Sequence, residues 1–169
     1  MHQVVVSIGS NVDRRQHIQK AVSALVEQFR DLSCSSVYQS PAVGFDGPDF
    51  YNLVCEFRTR DSSEFVRGAL KAIEHEGGRK RGEERFSSRT IDLDVLLFGD
   101  EILHAQGIDI PRAEILEQAH VLKPLAELLP AQRHPVTNRT FSELWRTFAQ
   151  AIDTEPRRIE WSPLGAGTE

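Results

Sequence analysis

Hydrophobic positions change from strand-like to helix-like spacing twice along the chain. Residues 3–8 are a β-branched run, which predicts a buried strand that ends at a Gly-Ser-Asn turn. Over residues 14–29 the apolar positions recur every three or four residues, so we expect an amphipathic helix. Two more strands are predicted over about 31–39 and about 50–59, the second with period-two alternation.

A second helix and a fourth strand follow. An apolar stripe that includes Phe65 predicts a helix over about 63–76, and capping residues precede it. Residues 91–98 are so uniformly apolar that we expect this strand to lie centrally in the sheet. Thr140 and Glu143 form a capping-box pattern for a last helix, which extends to about residue 151.

The order strand, helix, strand, strand, helix, strand is typical of a ferredoxin-like β-α-β-β-α-β core. We therefore predict an α+β fold in which additional C-terminal helices complete a layered α/β/α sandwich. A chain of 169 residues has the length typical of one domain with one hydrophobic core. We therefore expect a single domain over 1–169, with 163–169 as a loose tail. This architecture serves unrelated functions and assigns no activity by itself.

Composition and charge exclude several classes of protein. Hydrophobic residues make up 40% and charged residues 27%, which favours a globular domain over a disordered chain. The net charge of −5 argues against a nonspecific nucleic-acid partner. Neither a signal peptide nor an apolar run of about 18 residues is present, so we expect a cytoplasmic protein without a membrane partner. Cys34 and Cys55 are expected to be buried, reduced thiols, and the histidines lack zinc-site spacing.

Two acidic residues stand inside the apolar run of residues 91–98. Residues at i and i+2 of a strand point to the same face roughly 6–7 Å apart, so Asp92 and Asp94 should project together. Mg²⁺ is the natural counter-ion, because it takes hard oxygen ligands and is usually held by one or two carboxylates and substrate phosphates. The residues alone leave open a pair of solvated aspartates at the end of a strand.

A basic segment precedes the acid pair. Residues 78–90 contain five basic and two acidic residues, a local charge of +3. Beside two carboxylates, such a segment favours polyphosphate chemistry, although a solvated turn without a ligand is the alternative. The sequence has neither a P-loop nor a kinase-type catalytic loop, so a nucleotide would be held by side chains from several loops.

Five segments, in order between about residues 3 and 130, resemble the 6-hydroxymethyl-7,8-dihydropterin pyrophosphokinase family. They are residues 7–11, 36–41, 48–52, 85–99 and 121–130. The Arg-Thr-Ile-Asp-Leu-Asp-Val block that begins at Arg89 is the most specific. The resemblance implies that the pyrophosphoryl group of ATP is transferred to the hydroxymethyl group of the pterin in folate biosynthesis. It also implies release of AMP without a covalent intermediate. We expect the chain to be a monomer.

The resemblance also implies roles for individual residues. Two Mg²⁺ ions, with ATP as co-substrate, would be bridged by Asp92 and Asp94. The residues implied in catalysis are Arg79, Arg81, Arg89, Asp92 and Asp94. Those implied to contact the nucleotide or its phosphates are Glu74, Arg85, Arg89, Ile91, Arg112 and Gln118. Those implied to bind the pterin are Ser40, Pro41, Val43, Phe50, Asn52 and His120. The segment with Arg79 and Arg81 would close over the substrates.

Departures from the family pattern cluster near the C-terminal part of the match. Arg112 stands where the family usually has His, Gln118 where it has a phosphate-binding Arg, and His120 where it has a pterin-stacking Phe. Phe50 replaces the more common Tyr. An imidazole still offers a flat face for stacking. The departures leave two alternatives open: a diverged paralogue that acts on a modified pterin, and a noncatalytic module that binds a nucleotide, a pterin or RNA.

Overall fold

An antiparallel sheet forms the middle layer of the computed structural model, which describes residues 1–77, 91–105 and 107–164. Its six strands within these residues are β1 (His2–Ser10), β2 (Ser33–Cys34), β3 (Tyr38–Ser40), β4 (Phe50–Thr59), β5 (Asp92–Phe98) and β8 (Arg157–Arg158). A separate hairpin consists of β6 (Leu103–Ala105) and β7 (Ile108–Ile110). The helices of the described residues are α1 (Arg14–Phe29), α2 (Ser63–Glu76), α3 (Glu114–Glu117), α4 (Ala119–Leu128) and α5 (Phe141–Ala149).

The strand order confirms the predicted β-α-β-β-α-β core. The strands follow one another as β5-β1-β4-β3-β8, with β2 also beside β4. Each pairing within this sheet is antiparallel. Both predicted caps are present: Ser62 Oγ accepts a hydrogen bond from Phe65 N at 3.1 Å, and Thr140 and Glu143 form the capping box of α5.

Alternation along the strands builds a core on each face of the sheet. Val4, Val6 and Ile8 of β1 pack with the apolar stripes of α1 and α2. Val5, on the opposite face, packs with residues of α3, α4 and α5. The predicted layered α/β/α sandwich is therefore confirmed, because helices cover both faces of one sheet.

The prediction of a central place for the fourth strand was wrong. β5 lies at one end of the described strand order, while β1 and β4 are central. Its apolar run has a different cause: a bulge against β1 turns both Leu96 and Leu97 to the α3–α5 side, while Leu93 and Val95 face α1 and α2. The strand is apolar because helices cover both of its faces.

Two local predictions also need correction. The strand expected over about 31–39 is divided into the short strands β2 and β3. In α2 the core position belongs to Val66, whereas Phe65 is 52% exposed. Of the predicted tail, residues 163 and 164 are described: Leu164 packs on the core, and Gln19 Nε2 donates a hydrogen bond to the Pro163 carbonyl. Residues 165–169 lie outside the described residues.

The two cysteines face each other across paired strands. Cys34 in β2 is the register partner of Cys55 in β4, and both are free thiols. Cys55 is buried, as predicted, whereas Cys34 is only half-buried. Burial, with a contribution from Cys34, raises the pKa of the Cys55 thiol, which therefore stays protonated near pH 7. Among the described helices, none has the length and apolar character needed to cross a bilayer.

Candidate active site

A cavity opens where the C-terminal helices cease to cover the sheet. Near Val5 and Val54 this face lies under α4 and α5. Two to four residues further along β1, the same face carries Ser7 and Gly9, which line a cavity of about 250 Å³. The site is therefore the uncovered end of a sheet face whose other end forms a hydrophobic core.

Strand register aligns three positions across the floor of this cavity. Gly9 of β1 pairs with Asn52 of β4 on one side and with Asp92 of β5 on the other. Two residues earlier in β1, Ser7 pairs with Asp94 of β5. Paired residues in a sheet project to the same face, so both aspartates point into the cavity, away from Leu93. This geometry confirms the expectation that the two carboxylates project together.

Arg112 lies beside the acid pair. Its Nη1 is 3.8 Å from Asp94 Oδ1, and its Nη2 donates a 2.5 Å hydrogen bond to Glu114 Oε2. Its backbone N donates to the Leu96 carbonyl at 3.0 Å, which attaches this segment to β5. Burial lowers the pKa of Arg112, but Asp94 and Glu114 outweigh it and raise the pKa overall. The guanidinium is therefore a permanent positive charge against the carboxylates.

The end of the cavity farther from β5 is aromatic and amide-bearing. Phe45 and Phe50 meet edge to face, with ring centroids 6.3 Å apart and planes at 86°. Asn52 Nδ2 donates a long hydrogen bond, 3.4 Å, to Ser40 Oγ. His120 also lines the cavity. Burial lowers the pKa of His120, and Glu114 only partly opposes this, so the imidazole is neutral at pH 7. This end offers flat faces and an amide, which suit a planar polar ring.

A second cavity, of about 220 Å³, shares the acid pair with the first. Both are lined by Asp92, Asp94 and Arg112. The second is further lined by Arg67, Lys71 and Glu74 from α2 and by residues of β7, including Asp109. The carboxylates therefore lie between an aromatic cavity and a polar cavity that is lined by cationic side chains.

Glu74 supports the strand that carries the acid pair. Its side chain is buried, and Oε2 accepts a 2.7 Å hydrogen bond from the backbone N of Leu93, the residue between the two aspartates. The outer N–H groups of β5 have no neighbouring strand among the described residues, so this one needs a side-chain acceptor. Glu74 lines the second cavity, a position compatible with the predicted contact to a nucleotide. It also stabilises β5 through the hydrogen bond to Leu93.

We expect Glu74→Ala to lower the free energy of unfolding by about 1–3 kcal/mol, since the buried Leu93 N–H loses its acceptor. Glu74→Gln keeps an acceptor oxygen and should cost less than Glu74→Ala. Urea unfolding measures both, with Glu76→Ala, an exposed glutamate of the same helix, as the matched control. Equal losses for Glu74→Ala and Glu76→Ala would contradict a stabilising role for this hydrogen bond.

The structure brings most of the predicted site residues together. Those that line the first cavity are Ser40, Pro41, Val43, Phe50, Asn52, Asp92, Asp94, Arg112, Gln118 and His120. Ile91 is the exception, because its side chain is only 1% exposed and packs in the core on the α1 and α2 side, away from both cavities. The predicted Arg79, Arg81, Arg85 and Arg89 lie outside the described residues.

Seven residues that line the first cavity were not singled out from the sequence. They are Ser7, Ile8, Gly9, Phe45, Leu96, Glu114 and Val121. Strand alternation back from the Gly-Ser-Asn turn could have placed Ser7 and Gly9 on one face. No sequence signal indicates that Glu114 binds Arg112, since an ion pair two residues apart depends on how the loop folds.

The donor atoms at the acid pair suit magnesium rather than a transition metal. Within the described ranges, no group of three or more His, Cys, Asp and Glu side chains could hold a metal ion. Two carboxylates without nitrogen or sulfur ligands form a hard and incomplete ligand set, of the kind that Mg²⁺ generally completes with substrate phosphates and water.

Comparison with known proteins gives consistent matches. A model of the family described as 7,8-dihydro-6-hydroxymethylpterin-pyrophosphokinase (HPPK) matches residues 5–130. The 2-amino-4-hydroxy-6-hydroxymethyldihydropteridine pyrophosphokinase of Pseudomonas aeruginosa is 37% identical over 139 residues, which cover 80% of this chain and 85% of that protein. The protein of the same name from Aquifex aeolicus is 33% identical, with 85% and 90% covered.

Longer proteins also match. Folic acid synthesis protein fol1 of Pneumocystis carinii is 35% identical over 159 residues, but the match spans only 21% of that protein. The crystal structure of Plasmodium falciparum HPPK-DHPS with pteroate superposes with a TM-score of 0.71 at 14% identity. It covers 93% of this chain and 47% of that one, and it shows a shared fold.

Proposed function

Because the chain belongs to the 7,8-dihydro-6-hydroxymethylpterin-pyrophosphokinase family, we propose that it transfers the pyrophosphoryl group of ATP to 6-hydroxymethyl-7,8-dihydropterin, with release of AMP. The observation that carries the proposal is the position of Asp92 and Asp94 between two cavities. One cavity suits a planar heterocycle and the other a polyanionic nucleotide. The reacting groups would then meet at the carboxylates.

The pterin would occupy the aromatic cavity. Phe50 and His120 line it, and the Asn52 amide can both donate to and accept from the polar edge of the ring. Asn52 pairs through Gly9 with Asp92, so a ring bound at Asn52 can direct its hydroxymethyl group along the row toward the acid pair. The sheet register would thus set the line of approach between alcohol and phosphate.

ATP would occupy the polar cavity, with its triphosphate at the acid pair. Asp92 and Asp94 would hold two Mg²⁺ ions, which when bound offset the charge that builds up during the transfer. Arg112 lies 3.8 Å from Asp94, within reach of the same phosphates, and supplies a guanidinium where the family usually has His. Glu114 holds one side of that guanidinium and so orients it.

The direct test incubates the purified chain with ATP, Mg²⁺ and 6-hydroxymethyl-7,8-dihydropterin and measures AMP by chromatography. We expect AMP and pterin pyrophosphate in equal amounts, and neither without the pterin. Protein that binds ATP but forms no AMP above a blank would contradict the proposal.

The alternative of a diverged paralogue is motivated by Arg112, Gln118 and His120, which all line the aromatic cavity. Calorimetric titration with the unmodified pterin separates the two. A paralogue that needs a modified ring would bind ATP normally and the unmodified pterin weakly.

A substitution at His120 tests how the pterin is bound. We expect His120→Phe to keep the affinity for the pterin or to improve it, because a phenyl ring provides the same flat face without desolvating an imidazole. Burial lowers the pKa of His120, so wild-type affinity should stay constant from pH 8 to about 6.5, the ordinary pKa of His, and fall at lower pH. His120→Phe should remove that fall. A large loss of affinity at pH 7 would show a different role for His120.

A further inference from the structure

Gly9 occupies the middle of the row that joins the two ends of the aromatic cavity. It lies in the central strand β1, between Asn52 on β4 and Asp92 on β5. The preceding residues of β1 are β-branched or polar, and the backbone of Gly9 is not in the left-handed region that favours glycine. The need for a glycine here therefore comes from space beside the strand and not from backbone conformation.

The space that a side chain at position 9 would need is filled by the Asn52 amide. A Cβ built on Gly9 would lie 2.6 Å from Asn52 Oδ1 and 3.7 Å from both Asn52 Cγ and Phe50 Cδ2. Contact at 2.6 Å is far inside van der Waals separation, so the amide would have to turn away. The clash involves the end of a flexible side chain, and the strand itself need not move.

We infer that Gly9 is a positioning residue: by lacking a side chain, it lets the Asn52 amide lie across β1 in the orientation that binds the pterin. The inference rests on the proposed function, since it assigns Asn52 to the pterin. A methyl group at position 9 would force the amide out of this orientation, and would leave the carboxylates and the nucleotide cavity unchanged. Gly9 thus supports the affinity for the pterin and does not affect the affinity for ATP.

The first experiment compares Gly9→Ala with wild type in steady-state kinetics and in calorimetric binding. We expect the KM for the pterin to rise about tenfold, the effect of losing one or two hydrogen bonds between neutral groups. Affinity for Mg²⁺ and α,β-methylene ATP in the absence of pterin should change less than twofold. Gly68→Ala is the control, because nothing lies within 4 Å of a Cβ built on that exposed helical glycine.

A double-mutant cycle tests whether Gly9 acts through Asn52. In the Asn52→Ala background the obstructing amide is gone, so adding Gly9→Ala should change the pterin KM less than twofold. If Gly9→Ala alone fails to fold while Gly9→Ala/Asn52→Ala folds, the contact with Asn52 is likewise supported. An unchanged KM in Gly9→Ala, a full tenfold effect in both backgrounds, or failure of both variants to fold would overturn the inference.

The failure of this inference is distinguishable from failure of the proposed function. If the wild-type chain forms no AMP and binds no pterin, the proposed function is wrong and Gly9 has no pterin to position. If the wild type is active and Gly9→Ala matches it in KM, only the role of Gly9 is wrong.

Discussion

We expect Asp94→Asn to lower the rate of AMP formation by about a thousandfold. In the proposed mechanism the carboxylate at position 94 holds Mg²⁺, and it lines both cavities. Metal stabilisation of a phosphoryl-transfer transition state contributes several kcal/mol, and each 1.4 kcal/mol or so corresponds to a factor of ten. Asn has nearly the same shape, so β5 and its pairing with Ser7 should be retained.

The measurements that accompany Asp94→Asn are single-turnover AMP formation, thermal unfolding and Mg²⁺ titration. Thermal unfolding should match wild type within a few degrees, while Mg²⁺ should no longer tighten the binding of α,β-methylene ATP. Asp100→Asn, an exposed carboxylate just after β5, is the control and should behave as wild type. If Asp94→Asn retains a tenth or more of the activity, the metal assignment is wrong.

Arg112→Met should separate the affinity for ATP from the affinity for metal. Loss of the guanidinium would remove the proposed charge-assisted contact to the phosphates, about 1.5–3 kcal/mol, so we expect ATP to bind roughly ten- to a hundredfold more weakly. The acid pair loses a cation 3.8 Å from Asp94, so the Mg²⁺ concentration needed for half-maximal activity should fall. The two changes have opposite signs, which distinguishes the loss of one charge from general damage to the site.

Calorimetry with α,β-methylene ATP at fixed Mg²⁺, and AMP formation across a Mg²⁺ series, measure the two effects. Arg112→Lys should recover only part of the ATP affinity, because an ammonium group keeps the charge but not the forked geometry. Arg58→Met, at an exposed position on β4, controls for the loss of one positive charge. Unchanged affinity for ATP in Arg112→Met would contradict a phosphate role for Arg112.

Local patterns predicted the elements wherever neighbours in sequence dominate. The helices α1 and α2 begin and end where the three- and four-residue spacing places them, and the predicted capping residues precede α2. The same-face projection of Asp92 and Asp94 also follows from strand geometry alone. Where the surroundings of a strand are formed by segments distant in sequence, the local pattern led to a wrong prediction. The apolar run of β5 predicted a central strand, yet helices on both faces of an end strand produce the same pattern.

The sequence by itself determined the α+β order of elements, the paired carboxylates and the family resemblance, since each can be recognised from short stretches of neighbouring residues without knowing how those stretches pack. Only the tertiary structure decided that Gly9 lies between Asn52 and Asp92, because strand order and register depend on pairing across the sheet. It likewise decided that Glu74 holds Leu93 and that Arg112 meets Asp94. These contacts join segments far apart in sequence, and their geometry follows from packing two cores against one sheet.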